Sequence, residues 1–150
     1  MPSIIDFMTR KHRECDDVFS EAESAVAKSN WTLASQQWHT FADELELHLQ
    51  AEETILFPQF EQATGMTNGP TQVMRMEHQQ MRALIQDLNT TLTAENKKDF
   101  LANSETLMVL MQQHNMKEEM MLYPMTEQHL SNSEDVCVQL QQHCLTESKV

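Results

Sequence analysis

Six residues in this sequence combine metal-ligating side chains with a spacing that could bring them together: His12, His48, Glu52, His78, His114 and Glu118. Imidazole nitrogens and carboxylate oxygens are ligands that first-row transition ions accept, and a carboxylate can bridge two such ions. Each of the six falls on an otherwise apolar stripe. His12 lies between Met8 and Cys15, and His78 between Met74 and Met81. His48 and Glu52 continue the series Trp38, Phe41, Leu45, and His114 and Glu118 continue Leu107 and Met111. An ionised Glu facing a core is costly unless it is paired or bound to metal. A single inward His usually hydrogen-bonds a neighbour, whereas four of them with two Glu make up a ligand set.

The spacing is an independent test. His12 and His48 are 36 residues apart, as are His78 and His114. The midpoints are Asn30 and Asn96, both in polar breaks of the pattern. Residues equally far from the turn of an antiparallel helix pair sit at one height, so each pair shares a level. The interval from Glu52 to His78 is centred on Gly65, which brings the two pairs to the same cross-section. HLQAEETILFP, residues 48–58, returns 66 residues later as HNMKEEMMLYP, with His, both Glu, Leu and Pro kept. The same offset carries His12 onto His78. The chain reads as two helical hairpins, each holding half a site.

The elements that must position these residues follow from the periodicity. Steps of three and four between apolar residues predict helices over about 3–28, 32–63, 71–92 and 98–129, with inward stripes that include Ile55 and Ile85 and run to Met121 and Met125. A short fifth helix is expected over about 134–143, with Ser133 as N-cap and an apolar edge of Val136, Leu140 and Cys144. Lys28-Ser29-Asn30 and Glu95-Asn96-Lys97 break the pattern, and Gly65 and Pro70 suit a helix end and a helix start. Short connections make neighbours antiparallel. The expected fold is all-α, an up-down-up-down four-helix bundle with a short C-terminal fifth helix, forming one domain over 1–150. Pro58, six residues past Glu52, removes the backbone bond back to Thr54 and should kink or end the helix beyond the site; Pro124 repeats it.

Composition agrees. A chain of 150 residues with 40% hydrophobic residues and two Gly suits one helical core. A net charge of −13 disfavours nucleic acid and anionic membranes as partners. The longest apolar run, 107–111, is far too short to cross a bilayer. The start, MPSIIDFMTRKH, lacks a basic-then-apolar signal layout, so a cytoplasmic location is expected. The three Cys have no CxxC spacing, and Cys137 and Cys144 would be roughly 10 Å apart along one helix, too far for a disulfide. Reduced thiols are expected. The twelve Met are expected to fill core gaps. Without thiolates a structural zinc site is disfavoured; iron is the favoured ion and manganese the next. Six protein residues cannot saturate two octahedral ions, so positions remain for a small ligand.

A His in the first helix, HxxxE ending in LFP, a His in the third helix and HxxxEE ending in LYP together resemble the hemerythrin-like, HHE cation-binding family over all four helices. Within it the chain looks most like the di-iron domain of iron–sulfur cluster repair proteins. The resemblance implies a non-haem di-iron centre, oxo- or hydroxo-bridged, with His12, His48, His78 and His114 as terminal ligands and Glu52 and Glu118 as bridges. It implies a protein that binds or reacts with O2, NO or peroxide, in sensing or in the response to oxidative and nitrosative stress. The alternative is iron binding or storage without turnover, and a metal-free helical interaction protein is a third reading. Oxygen-carrying hemerythrins have a further His four residues after the helix-three His; here Arg82 stands there, which points away from reversible oxygen transport. No catalytic residue is assigned.

Further residues have two readings each. Asp16 and Arg82, at matching positions, could form an ion pair beside the metals, or act as an extra ligand and a donor to a bound diatomic molecule; a plain salt bridge inside the bundle is the simpler alternative. Glu53 and Glu119 read as solvated charge, His39, His129 and His143 as surface residues, Tyr123, which replaces Phe57 in the repeat, as packing with redox activity the alternative, and Cys15 as a small core residue.

Overall fold

A computed structural model describes residues 2–148. Helix α1 runs over Ile4–Ala27 and α2 over Trp31–Ala51. A π-helical turn, Glu52–Leu56, joins α2 to α3 (Phe57–Thr64). Helices α4 (Pro70–Thr93) and α5 (Lys97–Lys117) follow, then a second π turn, Glu118–Leu122, and α6 (Tyr123–His129). Helix α7, Ser133–Ser148, completes the order. Helices α1 and α2 pack as one hairpin and α4 and α5 as another, while α1 against α5 and α2 against α4 join the hairpins. The expected four-helix bundle is what forms. Helix α7 lies against α1, α2 and the first π turn.

Local chemistry sets the ends. Ser3, Asn30 and Asn96 accept the backbone N–H three residues on, from Asp6, Leu33 and Asp99, and so cap α1, α2 and α5. Ser29 and Glu95 take the left-handed conformation, with φ of 57° and 51°. In both turns the following Asn donates its N–H to a carbonyl five residues back, Ala25 and Thr91. The two hairpins therefore turn by the same device, which fixes equal arm lengths on either side of Asn30 and Asn96. Gly65 at φ 72° ends α3, and Pro70 opens α4 at its first position.

Three expectations are corrected. Pro58 and Pro124 neither end nor simply kink their helices. Each helix widens ahead of its proline into a π turn closed by the N–H of Phe57 to the carbonyl of Glu52, and of Tyr123 to that of Glu118. The wider turn rotates everything after it. Leu56 and Phe57, and Leu122 and Tyr123, take the fully buried positions. Met121, expected inside, is 60% exposed, and Ile55 and Met125 are only half-buried. Second, Met8, Met74, Met81 and Met111 fill the core as expected, but Met76, Met116 and Met120 lie exposed. Third, α7 is longer than the sequence suggested, and Ser133 is its first residue rather than its cap; the Val136 N–H bonds the carbonyl of Asn132. Its edge of Val136, Leu140 and Cys144 is buried as expected.

The core divides into two apolar blocks. One, around Phe19, Trp38, Phe41, Leu88, Phe100 and Leu107, fills the bundle toward the two short turns. The other, around Met8, Leu56, Phe57, Phe60, Leu122 and Leu140, fills the end where α3, α6 and α7 converge. The His and Glu residues lie between them along every helix.

Candidate metal centre

All six candidate residues are buried: His12 is 5% exposed and His48 3%, and the other four 1% or less. They form two groups. One ligating atom from each of His12, His48, Glu52 and Glu118 lies within 4.8 Å of the others, and the same holds for Glu52, His78, His114 and Glu118. Both carboxylates belong to both groups. The His rings pack in pairs, His12 with His48 at 4.7 Å between centroids and His78 with His114 at 5.0 Å.

The contacts inside the cluster are those of atoms aimed at a common point. His78 Nε2 is 3.0 Å from Glu52 Oε1, and His114 Nε2 is 3.3 Å from Glu118 Oε1. Yet His78 Nε2, His114 Nε2, Glu52 Oε1 and Glu118 Oε2 are all buried without an aligned hydrogen bond. Buried polar atoms are almost always satisfied, and each exception calls for a cause. A nitrogen and an oxygen this close but pointing past one another are placed as two ligands of one ion would be. The donor set therefore fits a metal centre.

The outer ring nitrogens are held by a second layer of carboxylates. His12 Nδ1 meets Glu119 Oε2 at 2.7 Å, His78 Nδ1 meets Glu53 Oε2 at 2.7 Å, and His114 Nδ1 meets Glu77 Oε1 at 2.8 Å. A carboxylate at Nδ1 keeps the proton there and turns Nε2, with its lone pair, inward. Glu53 and Glu119 are thus not the solvated charges that their sequence positions suggested. Each reaches across to a His on the opposite hairpin. Glu77 was missed altogether, because its target lies on the next helix; nothing within its own helix marks it. Among the described residues, His48 Nδ1 has no such partner. Lys11, which stands 66 positions before Glu77, pairs with Glu14 instead. His48 borders a cavity of about 70 Å³ lined by Lys11, Cys15, Glu44, Leu47 and Cys144.

Arg82 does not pair with Asp16. Its guanidinium forks onto Glu46, at 2.9 and 3.0 Å, and onto Glu53, at 2.8 and 3.0 Å. Two carboxylates occupy it, so it anchors the residue that orients His78 and has no free face for a diatomic molecule. Asp16 instead lines a void of about 10 Å³ beside His12, His48 and His114, and burial pushes its carboxyl up. His39 and His129 are exposed and His143 half-buried, and none joins the cluster. All three Cys are free, as expected.

Tyr123 is the other surprise. It is fully buried, and its hydroxyl donates to Glu52 Oε2 at 2.6 Å and lies 2.9 Å from Glu118 Oε1. The signal available in the sequence was the replacement of Phe57 by Tyr at the repeated position.

Charge is concentrated here. Burial presses the His12 imidazole down, but Glu118 and Glu119 outweigh it and hold its pKa at about 10. The same opposition, with Glu118 foremost against burial, holds His114 at about 9, and Glu52 raises His78. Burial presses the Glu52 carboxyl up, and His48 with its other neighbours drives it well below the usual range. Burial sends the Tyr123 phenol up, reinforced by both central carboxylates. Without metal, the surrounding carboxylates favour the protonated forms of His12, His78 and His114, and a metal ion would compete with those protons.

Four imidazoles and two shared carboxylates, buried between two apolar blocks of a helical bundle, define a metal-binding bundle protein of the histidine–carboxylate kind. A family model of the hemerythrin HHE cation binding domain matches residues 3–126, and the chain belongs to that family. It is 26% identical over 131 residues to an uncharacterized hemerythrin-like protein of Schizosaccharomyces pombe. That match covers 87% of this chain and 62% of the relative, so the chain spans under two thirds of its relative's length. No solved structure matches. Among the described residues no helix is long and apolar enough to cross a membrane.

Proposed function

We propose that the chain holds two iron ions, with manganese as the next choice, and that this centre binds or reacts with O2, NO or peroxide in sensing or stress response. His12 and His48 would serve one ion, His78 and His114 the other, and Glu52 and Glu118 would bridge them. The observation that carries this reading is the set of buried Nε2 and carboxylate atoms, within 4.8 Å of one another in two groups that share both Glu, with four of those atoms lacking any hydrogen bond. A bound iron pair would supply reversible one-electron chemistry beside a small ligand. The chain's own residues do the rest. Glu53, Glu77 and Glu119 orient three imidazoles, the two apolar blocks exclude water, and the Tyr123 hydroxyl stands against both central carboxylates. The offset of 66 makes the two half-sites an internal repeat.

Metal analysis of protein expressed with adequate iron should find about two ions per chain, the number that the two ligand groups would hold. His48→Ala should lose iron; full retention would sink the reading. The void beside the cluster is only about 10 Å³, which favours a second reading, iron binding or storage without turnover. Optical spectra before and after O2, NO and peroxide separate the two, since a storage site would respond to none of them.

A further inference from the structure

Tyr123 breaks the symmetry of the buried layer. Its hydroxyl oxygen is 2.6 Å from Glu52 Oε2, 2.9 Å from Glu118 Oε1, 3.2 Å from His12 Nε2 and 3.4 Å from His48 Nε2. These atoms come from all four members of one ligand group and from neither His of the other. A hydroxyl carries one proton and satisfies one acceptor with it. The same oxygen can also accept, and it gathers two carboxylate oxygens and two imidazole nitrogens of the cluster around one atom. An oxygen within reach of every member of a ligand group sits where a ligand sits. The matching residue of the other half, Phe57, stacks on His78 at 5.5 Å between centroids and offers no donor atom.

We propose that Tyr123 is a seventh ligand, binding through its phenol oxygen to the ion held by His12 and His48. The two metal positions are then chemically unequal. The position at His78 and His114, where Phe57 stands in place of a phenol and offers no donor atom, is the one left to an external small ligand. This rests on the iron reading above. In the step, the Tyr123 O–H bond breaks and its proton leaves to water as the oxygen bonds iron(III). The iron(III) comes from one-electron oxidation of bound iron(II) by ferricyanide, which becomes ferrocyanide.

Tyr123 is the sole tyrosine of the chain, which makes the test clean. The full-length protein is loaded anaerobically with iron(II), oxidised with ferricyanide and freed of excess reagent. The expected result is a visible phenolate-to-iron(III) charge-transfer band, with tyrosine ring vibrations enhanced on Raman excitation within it. Protein grown on ring-deuterated tyrosine should shift those vibrations, which assigns them without any mutation. Tyr123→Phe, which installs the residue already present at the repeated position, should abolish the band. Iron-loaded parent protein with no such band, or a band that survives in Tyr123→Phe, would overturn the assignment and leave the di-iron reading standing. A parent that takes up no iron overturns both.

Discussion

Glu77 offers the sharpest test of how the site is built, because it touches no metal and still should govern affinity. Its Oε1 accepts from His114 Nδ1 at 2.8 Å, and its Oε2 accepts from Lys117 at 2.6 Å. The His114 side chain is only 2% exposed, so Glu77→Ala strands a buried N–H that water cannot reach. Stranding such a donor costs about 1–3 kcal/mol. Loss of an outer carboxylate typically weakens metal binding about 10–100-fold, or about 1.4–2.8 kcal/mol at 1.4 kcal/mol per tenfold, and the two figures agree. One effect opposes the loss. Glu77 helps to hold the His114 pKa at about 9, so its removal eases proton competition below that pH. The weakening should therefore grow as pH rises toward 9. The assay is an anaerobic competition titration of iron(II) against a coloured chelator, at neutral pH and again near pH 8.5, with exposed Glu21→Ala as control. In a His114→Ala background, Glu77→Ala should change affinity hardly at all. A change under about twofold in the otherwise native protein, or an equal loss with and without His114, would refute the reasoning.

Three further outcomes are expected. Lys11→Glu places a carboxylate where Glu77 stands in the other half, gives the unpartnered His48 Nδ1 an acceptor, and should tighten iron binding up to about tenfold in the same titration. His12 at about 10 and His114 at about 9 lie above the ordinary 6.5, so in protein stripped of metal their contribution to stability is full below pH 6.5 and is lost as pH rises through 9 to 10. Iron must displace those protons, so its affinity should climb over the same window; melting curves of loaded and stripped protein should diverge as pH rises. Phe41, fully buried and stacked on Phe19 at 4.9 Å, lies in the apolar block on the turn side of the site; Phe41→Ala should cost about 3–5 kcal/mol in urea unfolding and leave iron stoichiometry unchanged.

Much of this architecture was legible because helices write their contacts at fixed intervals. Equal arms of 36 residues about Asn30 and Asn96 set His12 level with His48 and His78 level with His114, and the folded chain places them so. Inward Glu52 and Glu118 were legible for the same reason: charge on an apolar stripe needs a partner, and the partners share its face. What failed to show were contacts made between helices at angles that periodicity does not record. Glu53 and Glu119, one step round from the central pair, looked solvated, yet each meets an imidazole of the opposite hairpin at 2.7 Å. The Asp16–Arg82 pairing failed because Glu46 and Glu53 together offer Arg82 four oxygens on one side.

The sequence by itself determined the helices, their turns, the level of the four His and the identity of the six inward residues. Those follow from local rules: capping, hydrophobic period and the cost of burying charge. The tertiary structure decided which carboxylate orients which imidazole, and that the prolines open π turns rather than end helices. The register shift in those turns carries Tyr123 into the layer and Met121 out of it. One added residue per turn rotates a side chain by roughly 100°, a change that no spacing in the sequence could have announced.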